Sequence, residues 1–448
     1  MPFDVVVIGG GNAGLVAAIA ARHRVPRVLV LERAGFAMRG GNTRHTRNAR
    51  CASPEYPETE LWDDLSGVGP PGPLARRTVS LSVSVPSWMT SHGVRWQPPL
   101  AGTLNLGRTN QFFLGGGKAL VNTYHRTAAS LGIEVRYDAC VTDLSFDGSR
   151  CSAVVLSDGS RIEARAVVCA SGGFEANIDW LRKYWGDAAD NFLIRGCQQN
   201  DGLVLASLFA HGAASAGQER GFHSVAIDAR APRFDGGIAT RLDSIPFSVV
   251  VNSLGRRFYD EGEDIWPKRY AIWGRNVAGQ PGQIAYSLWD SKVNERFLPP
   301  MFRPAVATDV RSLAASLGLS PDAVASTVES FNAAVRPGSF DPGRLDSCST
   351  VGLDPPKSHW AQPLDTPPFY GIALRPGITF TYLGVRVDET ARVLRADGGG
   401  GFENVFAAGE IMSGNILSSG YLAGFGVTIG HVWGQIAGES AAREASND

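Results

Sequence analysis

The chain of 448 residues is nearly neutral, with 42 Lys and Arg against 43 Asp and Glu, and 44% of it is hydrophobic. That balance excludes a general basic coat for nucleic acid or a membrane surface, and the apolar content excludes disorder and supports a large core in two or three domains. No apolar run reaches the ~18 residues of a membrane span, so no direct membrane insertion is expected; Cys51, Cys140, Cys151, Cys169, Cys197 and Cys348 lack CxxC or iron–sulfur spacing, which points to reduced thiols and to no cluster or other metal on this chain.

The first element, "FDVVVIGGGNAGLVAAIAARHRVPRVLVLER", predicts a strand, a tight glycine turn, a helix and a second strand. Its apolar run follows Asp4 without a positive leader, so a signal peptide is not expected and a soluble cytoplasmic protein is. Gly9, Gly11 and Gly14, with Asn12 and Ala13 between them, supply GxGxxG: the first makes the turn, the second lets backbone approach a pyrophosphate, and the third permits close helix packing. Glu32, which ends the strand beside Arg33, is placed to accept from ribose hydroxyls. Next comes "RGGNTRHTRNARC", residues 39–51, with four arginines and a histidine. In a neutral chain such a cluster serves a local anion or, alternatively, salt bridges to surface acids.

Further on, a helix in "GGGKALVNTYHRTAASLGIEV" precedes three alternating runs that predict a small β-meander, "CVTDLSF", "CSAVVLSDGS" and "ARAVVCASGG". Between about 226 and 368 proline and tryptophan increase, and "LSPDAVASTVESFNAAV" predicts an amphipathic helix capped by Ser320. This stretch is expected to be an inserted α+β capping and substrate domain, with residues 1–225 and 369–448 forming the two parts of the dinucleotide domain. The chain then returns to "NVFAAGEIMSG", a strand running into Gly409 and Glu410, and to a glycine-rich last helix.

A fingerprint at the start, a meander, an insertion and a late strand ending in Gly-acid resemble FAD-binding proteins of the glutathione-reductase type, so the expected class is α/β with a Rossmann-like FAD domain. In that resemblance Glu410 contacts the ribityl chain. The motifs "GGNTRHTRNARC", "RTNQFFLGGGKALVN", "SGGFEANIDWLRKYWGDAADNFLIRG", "VVNSLGRRFYDEGEDIWPKRYAIWGR" and "FAAGEIMSGNI" resemble the fumarate reductase and succinate dehydrogenase flavoprotein superfamily over essentially the whole chain, and within it tricarballylate dehydrogenases. The resemblance implies oxidation of a carbon–carbon single bond of a small polycarboxylate, with electrons passed to a separate iron–sulfur or quinone-linked partner. The reverse reaction, as an enoate reductase, and an electron-transfer subunit with an altered substrate are the alternatives.

It also implies a site. Gly40, Gly41, Asn42, Thr43 and Arg44 are expected on the flavin, as are Val141, Ala170, Ser171, Gly172, Gly420 and Leu422. His45 stands in an "HT" context similar to the one through which membrane succinate dehydrogenases attach FAD covalently. Carboxylates are best held by guanidinium groups, which bind them bidentately and stay charged; Arg47, Arg241, Arg257 and Arg375 are the candidates, with Tyr421 where fumarate reductases carry a late arginine. Arg269 resembles the proton-transferring arginine of those enzymes, and Glu261 is the acid that would pass the proton on. The same "GRRFYDEGEDIWPKRY" segment also reads as an acidic turn salt-bridged to Arg257, Lys268 and Arg269. His223 sits where the superfamily often has a substrate-binding histidine. The N-terminus of the last helix, near Gly420 to Ala423, is expected to face the flavin with its free amides.

Overall fold

A computed structural model describes residues 1–98 and 107–447. The opening unit forms as expected: strand Phe3–Ile8, helix Asn12–Arg22 and strand Val28–Leu31. Strands VVVI and VLVL read as unbroken apolar runs because both faces of the sheet are covered. Parallel pairing links Gly401–Ala407, Arg161–Cys169, Phe3–Ile8, Val28–Leu31 and Glu134–Arg136, with Arg392–Leu394 antiparallel at the edge. The late strand therefore lies beside strand Arg161–Cys169 and brings Gly409 and Glu410 to the same end of the sheet as the first glycine turn. The meander is Val141–Asp147, Arg150–Leu156 and Arg161–Cys169, paired antiparallel.

The last helix, Phe425–Ser446, crosses helix Asn12–Arg22 at close range. Gly430, Gly434 and Gly438 lie four residues apart on one face, and a Cβ on either of the last two would run into the carbonyl of Ala13 or Ala17. Three small residues thus let two backbones touch and fix where the cleft ends.

A second sheet is built on the 13-residue strand Phe369–Thr381, which pairs antiparallel with Phe222–Asp228, Ala285–Asp290 and Ala305–Ala307 and parallel with Leu193–Ile194; Val249–Asn252 adds to Ala285–Asp290. The boundaries expected at 226 and 368 fall within the span of this sheet. The change in composition falls inside a hydrogen-bonded sheet whose strands start at Leu193 and end at Thr381, so both flanks belong to the second layer. Helix Pro321–Ala334 packs there as expected, Ser320 accepting from the Ala323 N–H at 3.4 Å. Because strand Phe369–Thr381 runs on to the dinucleotide layer, it delivers Thr379, Phe380 and Thr381 to the junction of the two sheets.

Candidate functional site

One cleft of ≈1540 Å³, counting the part open to solvent, runs along that junction. At one end are the GxGxxG residues. Gly9 has φ 109°, and its missing Cβ avoids the Ala170 carbonyl; Gly14 does not line the cleft, and a side chain there would strike the Gly9 carbonyl. Helix Asn12–Arg22 starts at Gly11 with no side-chain cap and no acid in its first turn, leaving amides and dipole for an anion. The Asn12 N–H donates to Thr43 Oγ1 at 2.8 Å, tying the turn to the Gly40–Thr43 loop. Asn12 Oδ1 is buried without a partner among the described residues, a site for a ligand donor.

Glu32 is buried beside this turn and accepts from the Ala34 and Gly40 N–H groups at 2.8 and 3.1 Å. Burial pushes its carboxyl up, and those amides oppose the push. Arg33 pairs with Asp201 at 2.6 Å. Val141, Ala170, Ser171, Gly172, Gly409 and Glu410 continue the wall. Uncapped amides and an unsatisfied amide oxygen fit FAD, which Gly9, Gly11, Gly41, Glu32 and Glu410, all lining the cleft, would hold.

At the other end of the cleft lie Arg47, Arg195, Arg241, His223, Tyr270, Phe380 and Tyr421. Arg241 pairs with Asp243 at 2.8 Å, and Asp243 also accepts from Trp266 Nε1 at 2.7 Å. Arg47 and Arg195 have no acidic partner among the described residues, and Arg195 Nε and Nη1 bond nothing there. Burial first, and then neighbouring guanidinium charge, lowers both from the usual arginine value to about 10. For Arg241 burial is outweighed by Asp243 and the net direction is up. Three guanidinium groups therefore face one carboxylate, a surplus of two positive charges, one on buried Arg195 and one on partly buried Arg47.

His223 stacks on Tyr421 with ring centres 4.0 Å apart and meets Tyr270 edge-on at 5.6 Å. Burial, then Arg195 and Arg241, hold its pKa well below the usual value, so the imidazole is neutral, and Nε2 has no partner among the described residues. Tyr421 Oη accepts from the Gly426 N–H at 2.9 Å.

Several expected site residues are held elsewhere. Arg257 forms a buried i,i+4 pair with Glu261 and donates to the Pro355 and Pro356 carbonyls, while Glu261 also accepts from the Val250 N–H at 2.9 Å; the two brace the second layer. Arg269 pairs with Glu263 at 3.2 Å, and Arg375 donates to the Gly282 and Gln283 carbonyls. None of these four lines the cleft, and the reading of this segment as an acidic turn with ion pairs fits Arg257 and Arg269. Arg44 is off the wall because it pairs with Asp235, which also takes His45 Nε2 at 2.9 Å; His45 itself does line the cleft. Gly420 and Leu422 do not. The last helix begins at Phe425 behind Gly424, so Ala423, Gly424 and Gly426 stand where Gly420 and Leu422 were expected, and the Gly420 carbonyl instead accepts from Tyr382. Arg195 and Tyr270 went unassigned in the sequence although "NFLIRG" and "KRY" contain them. Arg195 directly follows strand Leu193–Ile194 and Tyr270 opens a helical turn after Trp266–Arg269, positions whose side chains meet only once the second sheet is in place.

Among known proteins, the model described as FAD binding domain matches residues 4–427. The chain is 26% identical over 467 residues to NADH:fumarate oxidoreductase of Klebsiella pneumoniae, matching 99% of this chain but 48% of that protein, so it spans about half of that relative's length. It is 28% identical over 360 residues to 4-oxocyclohexanecarboxylate 2-dehydrogenase of Sinomonas cyclohexanicum, covering 74% of this chain and 61% of that one. The open conformation of a flavocytochrome c3 fumarate reductase superposes with TM-score 0.74 at 22% identity, over 99% of this chain and 78% of that one, which establishes a shared fold. With a nucleotide cradle at the first glycine turn and a family match running nearly end to end, the chain belongs to the FAD binding domain family, within the fumarate reductase and succinate dehydrogenase flavoprotein superfamily, and FAD is its cofactor.

Proposed function

We propose that the protein is an FAD-dependent oxidoreductase that dehydrogenates a carbon–carbon single bond flanked by carboxylates in a small polycarboxylate of the tricarballylate type. The observation that carries this reading is the surplus of two guanidinium charges, that of buried Arg195 and that of partly buried Arg47. A buried ion without a counterion costs several kcal/mol, and a ligand with two ionised carboxylates removes that cost. Arg47 and Arg195 are free to take one each, and Arg241 is held by Asp243 in a fixed orientation.

Bound FAD supplies the two-electron acceptor. The chain's residues do the rest. The arginines hold the carboxylates so that the α-proton is acidified by the charge opposite it, and Phe380 with Tyr421 excludes water. The proton needs an acceptor that lines the cleft, and His223 is neutral with a free Nε2. In the empty site Arg195, and after it Arg241, oppose its protonation; a substrate carboxylate on Arg195 offsets the larger of these two charges, so substrate binding raises the basicity of the group that must take the proton. Arg269, paired with Glu263 outside the cleft, has no such position.

The relatives' names include a fumarate reductase and a dehydrogenase of a ring carboxylate, which support redox chemistry beside a carboxylate and leave the reverse direction, reduction of an unsaturated acid, to the same residues. Electrons leave through a separate acceptor protein in this reading. Equilibrium binding tests it: a polycarboxylate should bind the FAD-loaded protein and its methyl esters should not, with Arg47→Met and Arg195→Met each weakening the acid. Equal affinity for acid and ester would refute it.

A further inference from the structure

Behind the cofactor wall, Glu175 is fully buried and belongs to no part of the site described so far. Its Oε1 accepts from Asn42 Nδ2 at 2.7 Å and from Asn200 Nδ2 at 2.8 Å. The same two amides reach Glu410 Oε2 at 3.5 and 3.4 Å, so two carboxyl groups crowd one pair of donors. Glu410 Oε1 is well satisfied, by the Thr381 N–H at 2.8 Å and its hydroxyl at 3.3 Å. Glu175 Oε2 has no donor among the described residues. A proton on Glu410 Oε2, the oxygen that receives only long contacts, would supply that donor. Gly173 makes the arrangement possible, since a Cβ there would overlap the Glu410 carboxyl and the Thr381 hydroxyl.

We propose that Glu175 and Glu410 hold a single proton between them, with Glu175 the ionised positioning residue and Glu410 the neutral acid that faces bound FAD. Two buried like charges crowding one pair of amide donors cannot both persist, and burial pushes both carboxyls up, Glu410 further because the Glu175 charge adds to it. Among the described residues the surroundings offer no cation to either group. The 41–45 loop contributes Asn42, with Arg44 and His45 engaged by Asp235. The 195–202 segment contributes Asn200 and the Cys197 thiol, itself held neutral by burial, while Asp201 pairs with Arg33 and Arg195 belongs to the substrate end. The strand Phe369–Thr381 gives Thr379 and Thr381, and Tyr421 is a neutral phenol.

The consequence is electrostatic. Reduction makes the cofactor more electron-rich, and a neutral Glu410 places no charge against it, whereas an ionised one would disfavour the reduced form. Replacing Glu175 with glutamine puts an amide donor where the charge was, which lets Glu410 ionise. Replacing Glu410 with glutamine keeps the cleft wall neutral.

The inference rests on FAD binding and is independent of the polycarboxylate reading. Its first test uses wild-type holoprotein: infrared spectra at neutral pH should show the C=O stretch of a protonated carboxylic acid, absent from both Glu175→Gln and Glu410→Gln. The second is the flavin midpoint potential. Glu175→Gln should favour oxidised over reduced FAD by about tenfold, a shift of ~30 mV downward for a two-electron couple, and Glu410→Gln should leave it near wild type. No protonated-acid band in wild type would overturn the proposal, even if a variant failed to fold; so would equal potential shifts in the two variants.

Discussion

Arg195→Met should stabilise the empty protein while crippling its chemistry. Arg195 is 5% exposed and lacks an acidic partner among the described residues. In the absence of substrate its charge is an uncompensated burial, and methionine fills similar space without that cost. Recovering even ~1 kcal/mol should raise the substrate-free protein's Tm by roughly 1–3 °C. With substrate bound, the sign reverses. Removing one partner of a buried guanidinium–carboxylate pair costs ~3–5 kcal/mol, and at ~1.4 kcal/mol per decade kcat/KM should fall by about 10² to a few times 10³-fold. Thermal denaturation of FAD-loaded and substrate-free protein, alongside steady-state kinetics with the acid that reduces the flavin, measures both signs. A lower Tm together with kcat/KM within a few-fold of wild type would show that Arg195 is a structural cation and would remove the charge argument.

His223→Gln should lower kcat by about 10²–10⁴-fold with FAD retained, whereas Arg269→Ala should stay within a few-fold of wild type; the opposite order in single-turnover flavin reduction would return the proton to Arg269. Gly14→Ala, whose Cβ meets the Gly9 carbonyl, should displace the turn and weaken FAD by more than about tenfold in a fluorescence titration. Stability should fall on the acid side for a reason unrelated to the site. Burial lowers His125 to about 4 and His431 to about 3, so from about pH 6.5 downward the unfolded chain binds more protons than the folded one. Each group then costs up to ~1.4 kcal/mol per pH unit until its folded pKa is reached. His431→Leu should flatten the Tm profile between neutral and mildly acid pH, and an unchanged slope would show that this histidine does not govern it.

What could be read in the sequence was whatever depends on local geometry. The glycine turn, the acid at the end of its second strand and the late Gly409-Glu410 element carry their chemistry in a few consecutive positions, and the structure brings them to one cleft. Arginine roles were less legible, because a guanidinium is long and its partner is set by tertiary packing. Arg257 and Arg269 sit four and six residues from Glu261 and Glu263 on the wrong side of a fold that places Tyr270 inward. Arg195 was overlooked for the converse reason: nothing next to it in the chain is charged, which is the property that leaves it unpaired once buried. Strand Phe222–Asp228 runs across residue 226 and strand Phe369–Thr381 begins directly after residue 368, so the change in composition coincides with no break in the second sheet. Glu175 had no sequence signal separable from its "GGFEAN" neighbours, since its partner Glu410 is more than two hundred residues away.

Anaerobic addition of tricarballylate, then succinate and other di- and tricarboxylates, to the FAD-loaded protein tests the central claim most directly, with the oxidised-flavin absorbance as the readout. The account expects one of these acids to bleach the flavin, and Arg195→Met to abolish the bleaching at the same concentration. Failure of every saturated acid to bleach it, together with failure of unsaturated polycarboxylic acids to reoxidise the chemically reduced protein, would contradict the assignment of this cleft to polycarboxylate redox chemistry.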